Sequence, residues 1–136
     1  MIAAAVTAVL CLAHNAYYEA RGEPFTGQIA VNQVALRRAA LDPAQVCAEI
    51  YRPDQFTWTS DKKRPKPHGP AWVRAQQAAR AALVWAEHGV GQDYSRGATH
   101  YHATYVRPGW TRCAKLTVQI ARHKFYNDVK PCRRVK

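Results

Sequence analysis

Acidic residues are scarce in this chain. Nine Asp and Glu face twenty Lys and Arg in 136 residues, giving a formal charge of +11 and a pI near 9.9. Such an imbalance implies an anionic partner: nucleic acid, an acidic membrane surface or an acidic envelope polymer. Charge alone does not choose among them, and composition by itself favours nucleic acid. Long apolar runs are missing too. The opening MIAAAVTAVLCLA carries no charge but ends at His14 and Asn15, short of the roughly 20 apolar residues of a spanning helix. No Lys or Arg precedes it, as a secretory signal would require, so the expectation is a buried N-terminal helix, neither leader nor anchor. The four cysteines form no CxxC pair and show no zinc spacing, which argues against a zinc site. Cys113 and Cys132, flanking a strand-like segment, are the expected disulfide; Cys11 stays open between a buried thiol and a bridge. No internal repeat appears, and 136 residues with 48% hydrophobic content suit one domain, 1–136, with one real core.

The order along the chain is helices first, then strands, which predicts an α+β fold. Residues 2–20 read as a helix, with Val6, Leu10 and Ala13 at three- to four-residue spacing and with Gly22 and Pro24 ending it. Gly27 opens a second helix whose stripe is Ala30, Val34 and Leu41, with Arg37 and Arg38 near its C-terminal dipole. Asp42-Pro43 starts a short third helix to about Tyr51, Asp as N-cap and Pro in the first turn. The stretch 52–70 is irregular: QFTWT alternates briefly like a strand, and DKKRPKPHGP reads as a mobile, solvated basic loop. A long helix from Ala71 to His88 presents Trp72, Ala75, Ala79, Leu83 and Ala86 on one face, with Gly89 as its cap. GATHYHATYV and KLTVQIARHKFY then carry strand chemistry, a small antiparallel sheet or hairpin.

Two of the scarce carboxylates, Glu19 and Glu23, sit together in YYEARGEP. Glu19 falls in the last turn of the first helix, where the macrodipole is negative and disfavours an ionised carboxyl. Tyr17 and Tyr18 add desolvation in the same direction. A glutamate that keeps its proton near neutral pH can protonate a poor leaving group such as a glycosidic oxygen. Arg21 would oppose this, but it projects from another helix face. Local physics alone also allows a solvated glutamate pair, with Glu23 held by a cation or capping the turn around Gly27.

The wider segment CLAHNAYYEARGEPFTGQIAVNQVALRR resembles the opening motif of the SleB-like cell-wall hydrolase family. GATHYHATYVRPGW resembles that family's second block and IARHKFY its closing block, in the same order. The resemblance implies a lysozyme-like α+β domain acting on peptidoglycan glycan strands, with Glu19 as catalytic acid. It implies a lytic transglycosylase or, more broadly, a glycoside hydrolase, and it implies no metal and no cofactor. A phage endolysin fits the compact cationic chain, and the site of action would be the bacterial cell wall or periplasm.

The remaining candidates are substrate contacts or supports for Glu19. Glu23 is the obvious second carboxylate, though the Gly22–Pro24 bracket leaves its direction open. Tyr18 precedes the acid, and Gln33 lies within the motif. His100 and His102 alternate on one strand face expected to line the glycan cleft, Tyr101 turning the other way into the core. His123 is expected to make a structural hydrogen bond. Trp58, Tyr105 and Trp110 lie outside the helical stripes and could stack on sugars. KKRPK at 62–66 matches a nucleic-acid patch by pattern; with the family resemblance, attraction to the anionic envelope is the better reading and no nucleic-acid partner is expected. The competing class is a non-enzymatic nucleic-acid binder. A monomer is expected.

Overall fold

The computed structural model describes residues 2–53 and 55–132, with side chains from Val6 onward. The side chains of residues 1–5, part of the opening apolar run, lie outside the described residues. Four helices precede a small sheet: α1 Ile2–Ala20, α2 Phe25–Arg38, α3 Pro43–Ile50 and α4 Gly69–His88, then β1 His100–Ala103, β2 Lys115–Ile120 and β3 His123–Asn127. The sheet is antiparallel throughout, in the order β1-β3-β2. This is the expected α+β architecture of lysozyme-like plan, a helical layer beside a small antiparallel sheet.

The helical core is built on alanine. Ala8, Ala16, Ala75, Ala78, Ala79 and Ala82 are fully buried, and such small side chains let α1 and α4 approach closely. This corrects the expected α1 stripe. Val6 and Leu10 point outward, 56% and 46% exposed, while Ala13, as expected, and Ala8, Leu12, Ala16 and Ala20 face inward. Side-chain size suggested one face; close helix packing selected the other. Asn15, wholly buried, lies on the inward side.

Helix ends refine the other boundaries. α2 starts at Phe25, not Gly27, and Leu41 lies beyond its end, 43% exposed with φ 59°. Gly27 serves a different purpose: a Cβ there would stand 3.3 Å from Ile120 Cγ2 and 3.5 Å from Glu23 Cβ. Its missing side chain seats the start of α2 against β2. Gly22 does not take the left-handed conformation expected of it; the chain leaves α1 through a turn in which Glu23 N donates to Ala20 O at 2.9 Å. Asp42 caps α3 by accepting from Ala44 N at 2.9 Å, and Gly89, at φ 65°, caps α4. QFTWT forms no strand. It closes into a 3-10 turn, Thr57–Ser60, that buries Trp58.

Both cysteine pairs are bridged. Cys113–Cys132 is the expected bond, and Cys11, left open by the sequence, joins Cys47, tying α1 to α3 with Cα atoms 5.5 Å apart. No helix among the described residues is long and apolar enough to cross a membrane.

Candidate active site at the end of α1

The last turn of α1 forms one wall of a cleft of about 180 Å³. Tyr18, Glu19, Arg21 and Glu23 line it from the helix end, Ala103 from the last position of β1, Tyr105 from just beyond it, and Arg122 and His123 from the β2–β3 hairpin. Larger hollows exist elsewhere, including one of about 230 Å³ beside Arg38 and His100, which neither carboxyl of YYEARGEP lines.

Burial dominates at Glu19. It pushes the carboxyl up from 4.5 to about 7, against the pull of hydrogen bonding from Tyr101 and Trp58. Tyr101 Oη and Trp58 Nε1 are fully buried and make no hydrogen bond of ordinary geometry. Both are within reach of Glu19, in contacts longer or more bent than such a bond. No cation stands among the causes of the shift. Arg21, the feared counter-influence, lays its guanidinium over the Tyr17 ring, 4.8 Å from the centroid. Glu19 is therefore half protonated near neutral pH because burial outweighs the two neutral donors beside it.

Glu23 has the opposite environment. Its Oε1 accepts from Arg122 N at 2.8 Å and from His123 Nδ1 at 3.1 Å, and both side chains are almost fully buried. Burial holds His123 below its ordinary value although Glu23 opposes this, so the imidazole donates its Nδ1–H as a neutral group. The donor amide of Arg122 is presented by a tight hairpin in which Ala121 takes φ 47°, an uncommon conformation for a side-chain-bearing residue. Glu23 thus fastens the α1–α2 elbow to β3. Its partner is His123 and not the neighbouring Arg21.

Tyr18 lies at the cleft edge and stacks on Trp58 with centroids 4.9 Å apart, and its hydroxyl donates to Pro65 O. Part of the basic loop is therefore docked, which corrects its reading as wholly solvated. Arg64 covers both rings, 5.6 Å from Tyr18 and 5.5 Å from Trp58, and donates to Trp58 O at 3.0 Å. Lys62, Lys63 and Lys66 do remain exposed. Tyr105 stands 82% exposed at the cleft.

Three candidates fall elsewhere. Gln33 is fully buried and clamps the loop after α4, donating to Gln92 O and accepting from Tyr94 N, both at 2.9 Å. His100 and His102 do share a strand face, but it is the face opposite Tyr101. There they pack around Trp110 at 5.3 and 5.8 Å. His100 bonds Arg38 at 2.9 Å and His102 bonds Tyr126 Oη at 3.0 Å. Burial, then Arg38 and Arg52, hold His100 below its ordinary value. Among the described residues no three His, Cys, Asp or Glu side chains gather as a metal would need.

Sequence reasoning placed Tyr101 in the core, where it is, but missed that it faces Glu19. The signal was available: the alternation that turns His100 and His102 outward turns Tyr101 toward the helices.

Residues 22–126 match the Cell Wall Hydrolase family; Glu19 lies just ahead of the matched segment. The chain is 34% identical over 119 residues to the spore cortex-lytic enzyme of Halalkalibacterium halodurans, covering 85% of this chain and 33% of that protein. It is 35% identical over 117 residues to that of Oceanobacillus iheyensis, covering 84% and 39%. With the Bacillus subtilis enzyme the identity is 36% over 92 residues, 66% of this chain and 27% of that one. The chain thus spans between a quarter and two fifths of the length of these relatives. No solved structure matches. The chain belongs to the cell wall hydrolase family.

Proposed function

We propose that this protein cleaves the bond between N-acetylmuramic acid and N-acetylglucosamine in peptidoglycan, with Glu19 as a single general acid and base, as a lytic transglycosylase. The observation that carries the reading is a carboxyl group at about 7 in a cleft of a cell wall hydrolase chain. An acid of that strength still holds its proton at neutral pH and delivers it readily. Glu19 protonates the glycosidic oxygen, and an oxocarbenium-like transition state develops on the muramic residue. The Glu19 carboxylate then accepts the proton of the muramic 6-hydroxyl as that oxygen closes on C1, forming a 1,6-anhydro ring. No water is consumed, so no second carboxylate is required.

A hydrolytic muramidase would need a carboxylate to activate water or stabilise the sugar cation. Glu23 lines the same cleft, but its Oε1 already takes two hydrogen bonds, which favours an architectural role. The charge of +11 speeds encounter with an anionic envelope and weakens with salt. Two disulfides suit work outside the reducing cytoplasm.

Digestion of purified cell-wall sacculi followed by mass spectrometry tests the reading. Anhydro-muropeptides are expected. Reducing-end products would replace the transglycosylase with a muramidase. No released muropeptides, together with salt-steep binding to duplex DNA, would overturn the enzyme reading.

A further inference from the structure

We propose that Tyr101 and Trp58 form a two-point anchor that aims the Glu19 carboxyl group into the cleft and takes up the negative charge left when its proton departs. The proposal rests on the reading of Glu19 as the acid, but the anchor itself is measurable without catalysis.

Two buried donors without a hydrogen bond of ordinary geometry are costly to keep, since each unsatisfied group forfeits about 1–3 kcal/mol. Tyr101 Oη and Trp58 Nε1 are both in that position, and the acceptor both influence is Glu19. Contacts looser than ordinary hydrogen bonds suit a carboxyl that is neutral before the reaction. Negative charge on Glu19 would shorten them, because hydrogen bonds to an ionised acceptor are shorter and stronger. The anchor therefore favours the state formed during proton transfer over the resting state.

Each donor has its own support. Asn15 lies one turn before Glu19 on α1, interacts with Tyr101, and is held by Asn32 of α2 through an amide hydrogen bond of 3.2 Å. Trp58 is sandwiched by Tyr18 and covered by Arg64. Burial, with Glu19 next in effect, keeps the Tyr101 hydroxyl well above its ordinary value. Tyr101 thus remains a donor throughout and never competes for the proton. The other titratable or charged groups around the carboxyl are Tyr18 and Arg21 on α1, Glu23 after it, Tyr105 beyond β1, and Arg122 and His123 on the hairpin; Arg64 lies behind Trp58. Glu23 and His123 are engaged with each other, and none of these groups is a leading influence on Glu19.

Tyr101→Phe and Trp58→Phe each remove one donor and keep an aromatic ring. The probe is the carboxyl carbon of 13C-labelled glutamate, followed by NMR through a pH titration without substrate, Glu19→Gln identifying the Glu19 resonance. In each variant the Glu19 titration moves upward by about 1, the equivalent of a hydrogen bond to a charged group. The alkaline limb of sacculus lysis moves up with it, and the rate falls about tenfold. A purely structural role would lower thermal stability and leave the titration in place. An unchanged or lowered Glu19 titration in whichever variant folds overturns the anchor. If the titration moves up while Glu19→Gln still lyses walls, the anchor stands and the catalytic reading fails.

Discussion

Glu19 and Glu23 lie four residues apart and line one cleft, yet their surroundings differ in kind. Around Glu19 are a phenol and an indole, neutral groups that offer weak donation, and burial outweighs them. Around Glu23 are an imidazole and a backbone amide at 3.1 and 2.8 Å. The first environment leaves a carboxyl reactive; the second fixes a carboxyl in place. Asp93 shows the second principle carried further. Burial raises it, but hydrogen bonds from Ser95 and Gly97, with the Arg37 guanidinium, outweigh that and hold it below the ordinary range. A carboxyl's environment separates proton donor from structural tie more sharply than its position in a motif does.

The comparison breaks most easily by substitution. Glu19→Gln removes the transferable proton while keeping the shape, and lysis of sacculi should fall about 10³-fold, within the usual range for a general acid. The same variant should be more stable than wild type at alkaline pH. The folded value of Glu19, about 7, lies above its ordinary 4.5. Between these two values the unfolded chain loses the proton first, so wild-type stability declines as pH rises through that window. Above it the accumulated cost is about 3 kcal/mol. Urea unfolding should therefore find the variant ahead by up to about 3 kcal/mol at pH 8 and level with wild type at pH 4. Equal stability at both pH values would show that Glu19 is ionised freely in the fold.

Glu23→Gln should give the mirror image. The amide keeps one acceptor but loses the charge that strengthens its bonds to Arg122 N and His123, lowering stability by about 1–3 kcal/mol in urea titration. Lysis should persist within about tenfold of wild type. A loss as deep as that of Glu19→Gln would make Glu23 a second catalytic group. The smallest effect is expected at Arg64, where removing the cation from the Tyr18 and Trp58 rings by Arg64→Ala should cost about 1 kcal/mol, read as a lowered thermal midpoint.

Much of the frame was legible along the chain. Asp42-Pro43, Gly89 and the alternation of HYHA gave elements at their observed places, because caps and strand periodicity are local. The inward face of α1 was not, because close packing of alanines overrode side-chain size. Gly27 was read as a helix start, when its role is a close approach to Ile120, a residue far along the chain. The helix end and the tyrosines supplied a reason for Glu19 to hold its proton, yet the largest influence is burial, and the donors that oppose it are Trp58 and Tyr101. Both arrive from distant segments, one of which had looked like a strand. His100 and His102 were drawn toward the cleft by strand alternation and Gln33 by its place in the motif, whereas their hydrogen bonds are made to Arg38, Tyr126 and the loop after α4.

The most direct test of the account is muropeptide release from purified sacculi by wild-type protein and Glu19→Gln, compared at equal concentration near pH 6. The account predicts soluble muropeptides from the wild type and essentially none from a folded, wall-binding Glu19→Gln. Release by that variant at the wild-type rate would contradict it.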